Sequence, residues 1–155
     1  MTEAGFLFNE LSEFKQDLMR DIQSVYPKET DEFLKEEAKK FKKEVQSVAK
    51  SNVGKGEAHF RTDRKKGKNV STNYHKNFKI GKKYVRGESR CLRVYNSARH
   101  AHLIEYGHVS ANKYGKNGFV LGKMVFKEAE LNFKSEFLDD AEKFLYTYFD
   151  KTTER

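Results

Sequence analysis

His100, His102, Glu105 and His108 fall within nine residues of one another, and imidazoles beside a carboxylate are the donor types that hold zinc or non-haem iron. Their spacing argues against a metal. Two residues apart, His100 and His102 share a face only on a strand. On a helix, which Ser97 as a cap and Gly107 as a stop favour, they point about 160° apart, whereas helical metal pairs sit at i and i+4. Satisfied or solvent-facing rings are the default for such histidines. The same side chains suit general acid–base catalysis, but no second constellation accompanies them. Cys91 falls in a strand-like run, Ser97 lacks the G-x-S-x-G elbow of an activated serine, and the glycines form no phosphate-binding motif. Neither an enzyme nor a cofactor is expected.

The remaining chemistry is charge. Within residues 51–100 Lys and Arg outnumber Asp and Glu by 14 to 3, whereas residues 1–50 and 101–155 are each slightly acidic, so this middle third holds all of the net +8. Arg61, Arg64, Lys65, Lys66 and Lys68, near Tyr74, His75 and Phe78, could grip a nucleic-acid backbone beside stacking rings. The plain alternative is a solvated loop and sheet face, favoured for a lone lysine-rich run. Phe78 and Tyr84 do not make an RNA-recognition signature and are better explained as core.

These side chains need elements to position them. A chain of 155 residues fits one domain that buries about 70% of its unfolded surface. The expected organisation is a single domain over 1–155, with a helical part at 1–50, a basic loop and sheet at 51–125, and a closing helix at 126–150. From Phe6 to Val25 the residues Leu7, Leu11, Phe14, Leu18, Ile22 and Val25 make one stripe of a helix at about 4–25. Pro27 breaks it. Thr30 as a cap, with Asp31 and Glu32 behind it, starts a second helix at about 30–50 whose apolar side is Leu34, Ala38, Phe41, Val45 and Val48.

From Ser51, with Asn52, Gly54 and Gly56, the pattern dissolves into an exposed loop over 61–69. An antiparallel hairpin is expected at about 76–86 and 90–96, turning at Arg86-Gly87-Glu88-Ser89. A short helix capped by Ser97 follows, then a glycine-bearing loop, GHVSANKYGKNG, and a strand around Phe119–Val125. Phe126, Ala129, Phe133, Phe137, Ala141, Phe144 and Tyr148 form the clearest stripe, on a helix of about 126–149. The fold class is therefore α+β: N-terminal helices, a small antiparallel sheet with a hairpin, and a long C-terminal helix. One cysteine excludes an internal disulfide framework. No apolar run approaches the roughly 20 residues of a membrane span, and the first residues lack a signal peptide's features, so synthesis in the cytoplasm is expected.

Thr72, Tyr74 and Phe78, then Val94, Tyr95 and Asn96, then Ala101, Glu105, Gly107 and His108 in the order A-x-x-x-E-x-G, then Gly122 and Phe126 to Ala129, resemble the phage tail-component family typified by gene product ten of a lambdoid siphophage. The chain departs from that family at Asn73, at Asn77 and in lacking a proline before the last helix. The resemblance implies a structural virion protein, made in the host cytoplasm and located in the neck between head connector and tail. Its implied partners are copies of itself in a ring of six or twelve, connector or head-closure proteins, and tail-terminator or tail-tube proteins. Non-specific contact with exiting DNA through the basic loop is also implied; a membrane is not. Ala101, Glu105, Gly107 and His108 then read as a structural turn. Contacts between subunits are expected to be charge-rich, since the stripes leave little apolar surface to spare. The alternative function is a small basic nucleic-acid-binding protein, which oligomeric state would separate from a ring.

Overall fold

The computed structural model describes residues 27–61, 71–87, 89–111, 115 and 117–153. The helix expected at 4–25, and Arg64, Lys65, Lys66 and Lys68, lie outside them. The described part is α+β, two long helices enclosing short antiparallel ladders.

Helix α1 spans Pro27–Asn52. It starts three residues before the expected cap at Thr30, because proline at the first helical position presets φ and has no amide proton to leave unbonded. Its Ala38, Val45, Val48 and Ala49 are buried, each valine worth about 2 kcal/mol when fully removed from water. After Asn52 the chain turns, with Val53 N–H donating to the Ala49 carbonyl at 2.9 Å.

Strands β1 (His59–Arg61) and β2 (Ser71–Asn73) then pair antiparallel, Arg61 opposite Ser71. This ladder corrects the loop expected from residue 61: Arg61 ends a strand, and residues 62–70 join two paired ends. A 3₁₀ turn at Tyr74–Lys76 leads into β3 (Phe78–Ile80), which pairs with β6 (Val94–Asn96); β4 (Tyr84–Arg86) pairs with β5 (Ser89–Cys91). These are two halves of the expected hairpin, broken at 81–83 and 92–93 but bridged by Gly81 N–H donating to the Arg93 carbonyl at 2.7 Å. Gly87, φ 59°, supplies the positive φ that its two-residue turn requires. Tyr84, expected in the core, is 48% exposed, because β4 lies beyond the break.

Helix α2 is only Ala101–Tyr106. Ser97 does not cap it: His100 stands at the cap position, and the Ser97 hydroxyl is held by Asn77 at 3.2 Å. Past Gly107 the expected loop is a strand, β7 (Gly107–Ala111), paired with β8 (Asn117–Leu121), which ends short of the expected Val125. Helix α3 runs Val125–Thr153, antiparallel to α1. Its Phe133, Phe137 and Phe144 meet Phe33 and Phe41 of α1; Phe33 stacks on Phe144 with centroids 4.6 Å apart. Asn52 to Glu128 (2.7 Å), Asn132 to Glu44 (2.9 Å) and a Lys40–Asp140 ion pair bind the helices along their length.

The core lies where the helices meet the hairpin base. Tyr74, fully buried, sits edge-on to Phe78 at 5.1 Å, with Val45, Ala49, Ile104, Val125 and Ala129 around them. Asp31, an acid of the first turns of α1, accepts from Lys83 at 2.5 Å and Arg90 at 3.1 Å and so pins the hairpin to the helix. The Lys83 ammonium foremost, with Arg90, holds its carboxyl below the usual range.

Candidate functional site

The residues 105–108 and 122–126 form one crossing of backbone. Glu105 is buried, and its carboxylate accepts the N–H of Phe126 at 3.0 Å. That amide is among the unpaired donors at the start of α3, where a negative charge also meets the positive end of the helix. Backbone bonds join the same places: Lys123 N–H to the Ile104 carbonyl (2.7 Å) and Met124 N–H to that of Glu105 (3.2 Å).

The crossing is too close for side chains. A Cβ on Gly107, where φ is 81°, would lie 2.4 Å from the Val120 carbonyl oxygen; one on Gly122 would lie 2.3 Å from that of Glu105. Gly107 N–H also closes α2 by donating to the Leu103 carbonyl. Sequence reasoning singled out Gly107 but not its counterpart Gly122 as a contact, since fifteen residues separate them.

The histidines are distributed by this geometry. His100 is buried and donates from Nε2 to the Ala58 carbonyl at 3.2 Å. Desolvation pushes its pKa below the ordinary value, against the opposing pull of that bond. His102 is exposed, and His108 lies on β7. His59, His100 and His108 line a cleft of about 280 Å³ with Lys123, but among the described residues no three metal-type side chains converge. Ala101 packs against the core. The structure therefore joins Glu105 and Gly107 in one backbone crossing, sets Ala101 on the core side of α2, and turns His108 into the cleft.

The crossing projects a two-stranded ribbon, β7–β8. Cross-strand pairing of Val109 with Phe119, and of Gly107 with Leu121, places Val109, Phe119 and Leu121 on one face, exposed at 67%, 61% and 77%. Neither strand contains an Asp, Glu, Lys or Arg. The expectation of little spare apolar surface is thus corrected: among the described residues β7 and β8 pair only with each other, and the face of Val109, Phe119 and Leu121 is exposed. Charge is displayed elsewhere, on the hairpin, where Lys79, Lys82, Arg86 and Arg93 are exposed. No helix among the described residues is long and apolar enough to cross a membrane.

A family model described as "Bacteriophage HK97-gp10, putative tail-component" matches residues 16–107, more than half of the chain, through α1, the first six strands and α2 to the crossing. No curated protein and no solved structure gives a significant match.

Proposed function

Because this chain belongs to the HK97-gp10-like family of bacteriophage tail components, we propose that it is a structural virion protein that assembles as a closed ring in the neck, between the head connector and the tail. The observation that carries the assembly reading is the uncharged ribbon face of Val109, Phe119 and Leu121. An isolated two-stranded ribbon is marginal in water, and its open edges invite pairing. Contiguous exposed apolar side chains on such a ribbon fit a protein neighbour. They do not fit a nucleic acid, which demands cations.

In a ring of identical subunits that face must meet a different patch on the next copy, so the contacts close around an axis. Six or twelve subunits, with connector or head-closure proteins on one side and tail-terminator or tail-tube proteins on the other, is the arrangement this reading implies. The basic hairpin face suits an acidic neighbour or exiting DNA.

Phe119→Asp combined with Leu121→Asp tests it. The pair should leave the thermal midpoint of the isolated chain nearly unchanged, since both side chains already face water. The same pair should abolish incorporation into particles. Incorporation at the normal level would count against the ribbon as an interface. A second reading, a basic nucleic-acid-binding protein, draws on Lys79, Lys82, Arg86 and Arg93; tight DNA binding by the monomer that weakens steeply with salt would support it.

A further inference from the structure

A groove of about 670 Å³ runs between α1, α3 and the hairpin, walled by Leu34 and Phe41 of α1, by Leu131 and Leu138 of α3, and by Leu92. Leu131 and Leu138 are 68% and 55% exposed. Four charged residues share the lining: Glu37, Arg90, Glu130 and Lys134. Glu37 accepts from Lys40 at 2.8 Å, and Arg90 donates to Asp31 at 3.1 Å. Glu130 and Lys134, of opposite sign, stand in water about one turn apart on α3. The charges therefore balance, and the groove favours neither an anion nor a cation. It suits an occupant that is apolar and uncharged.

We propose that the occupant is the β7–β8 ribbon of a second copy of this chain. The inference rests on the ring reading above and deepens it, by naming the patch that the ribbon meets. The two faces of the ribbon are unlike. His108 and Val120, paired across the strands, line the cleft beside His100 and Leu103 of their own chain, whereas Val109 and Phe119, one residue on, point the other way. Leu121, at the ribbon's base, borders that cleft and is still 77% exposed. Among the described residues, the lining of the groove includes none from the ribbon. The projecting face and the concave one are thus separate surfaces of one chain, as a head-to-tail contact requires.

Dimensions agree. Phe119 and Leu121 stand about 7 Å apart along β8, and Val109 lies about 5 Å across from Phe119. Leu34 to Phe41 and Leu131 to Leu138 each extend about 10 Å along their helices, long enough to take the three side chains. Chemistry agrees as well. Neither ribbon strand carries Asp, Glu, Lys or Arg, so the face enters without stripping water from a charge. Three side chains fall short of the roughly 800 Å² a side of a standard interface. The docking therefore holds within a ring, where further surfaces meet, and is weak between two free copies.

Cys91, the only cysteine, lines the groove and reports on its occupant in assembled particles. Particles built with Phe119→Cys and treated with a short bis-maleimide should yield linked multimers of this chain, with Cys91 joined to position 119 in the peptide mass spectrum. Val109→Cys, on the same face, should behave alike. Glu136→Cys, exposed and about 140° or more from Leu131 and Leu138 around α3, should link at least tenfold more slowly. Links confined to one chain, links between two ribbons, or equal rates at all three positions would overturn the proposal. In unaltered particles the Cys91 thiol should be alkylated at least tenfold more slowly than in the isolated chain; equal rates would overturn it without any substitution. Leu131→Asp with Leu138→Asp separates this inference from the ring reading. The pair should leave the thermal midpoint of the isolated chain nearly unchanged and abolish incorporation. Normal incorporation of that pair, with the ribbon pair still excluded, would overturn the docking and leave the ring standing. Normal incorporation of the ribbon pair would count against both.

Discussion

Glu105 shows how one side chain can be placed by chemistry that local sequence does not display. Its carboxylate closes the first turn of a helix that begins twenty residues later, by accepting the Phe126 amide. Replacing it with alanine leaves that amide unpaired and should cost about 2 kcal/mol. Glutamine keeps an acceptor and should recover about half, as measured by urea denaturation. His100 provides a pH dependence. Its pKa is lowered in the folded protein, chiefly by burial, so below the ordinary value of about 6.5 the unfolded chain binds a proton that the folded chain excludes. Stability from this group is full above that pH and declines as the pH falls from there toward the folded value. The thermal midpoint should therefore drop between pH 7 and pH 5, and His100→Gln should flatten the drop. Asp31 and Asp140, held low chiefly by Lys83 and Lys40 respectively, act in a separate window: their contribution is present above about pH 4 and lost on further acidification. An unchanged slope in His100→Gln would contradict the assignment.

Among the elements, the legible parts were those long enough to show a period. The stripes of α1 and α3 were read from Leu34 to Val48 and from Phe126 to Phe144 because each repeats over several turns, and the hairpin was read from Phe78, Ile80 and its Gly87 turn. The ladder β1–β2 has three residues a strand, too few to alternate. Of the ribbon's two strands only β8 overlaps an expected one, around Phe119–Val125; β7 was missed because it does not alternate buried with exposed residues, Val109 and Ser110 both facing water. Ser97 resembled a cap because its type suits that role, but Asn77, twenty residues earlier, holds its hydroxyl. Glu105 and Gly107 stood out by spacing, whereas their partners lie farther along the chain and were not legible. The crossing makes its own prediction. Gly107→Ala meets both a positive φ and a carbonyl oxygen 2.4 Å away, and should destabilise by about 3 kcal/mol or more. Gly56→Ala, where a Cβ finds nothing within 4 Å, should stay within about 0.5 kcal/mol of the parent. Similar urea midpoints for the two variants would mean that the crossing yields freely.

At the scale of the whole molecule, signs and surfaces are segregated. Cations crowd the middle third and its hairpin, the flanking thirds are slightly acidic, and the ribbon exposes Val109, Phe119 and Leu121 on strands that carry no charged residue. A monomer acting alone gains nothing from that exposure. In the proposed ring the ribbon would serve contact with a neighbour and the charged faces orientation, and salt should weaken the second more than the first. Membership of a tail-component family makes the virion the place to test that proposal. The measurement that bears most directly on this account is electron microscopy of lysates from a phage whose copy of this gene is disrupted. The account predicts full heads and finished tails lying apart, or joined so weakly that they separate on dilution, with joining restored by the intact gene and not by the Phe119→Asp, Leu121→Asp variant. Normal, infectious particles lacking this chain would contradict it.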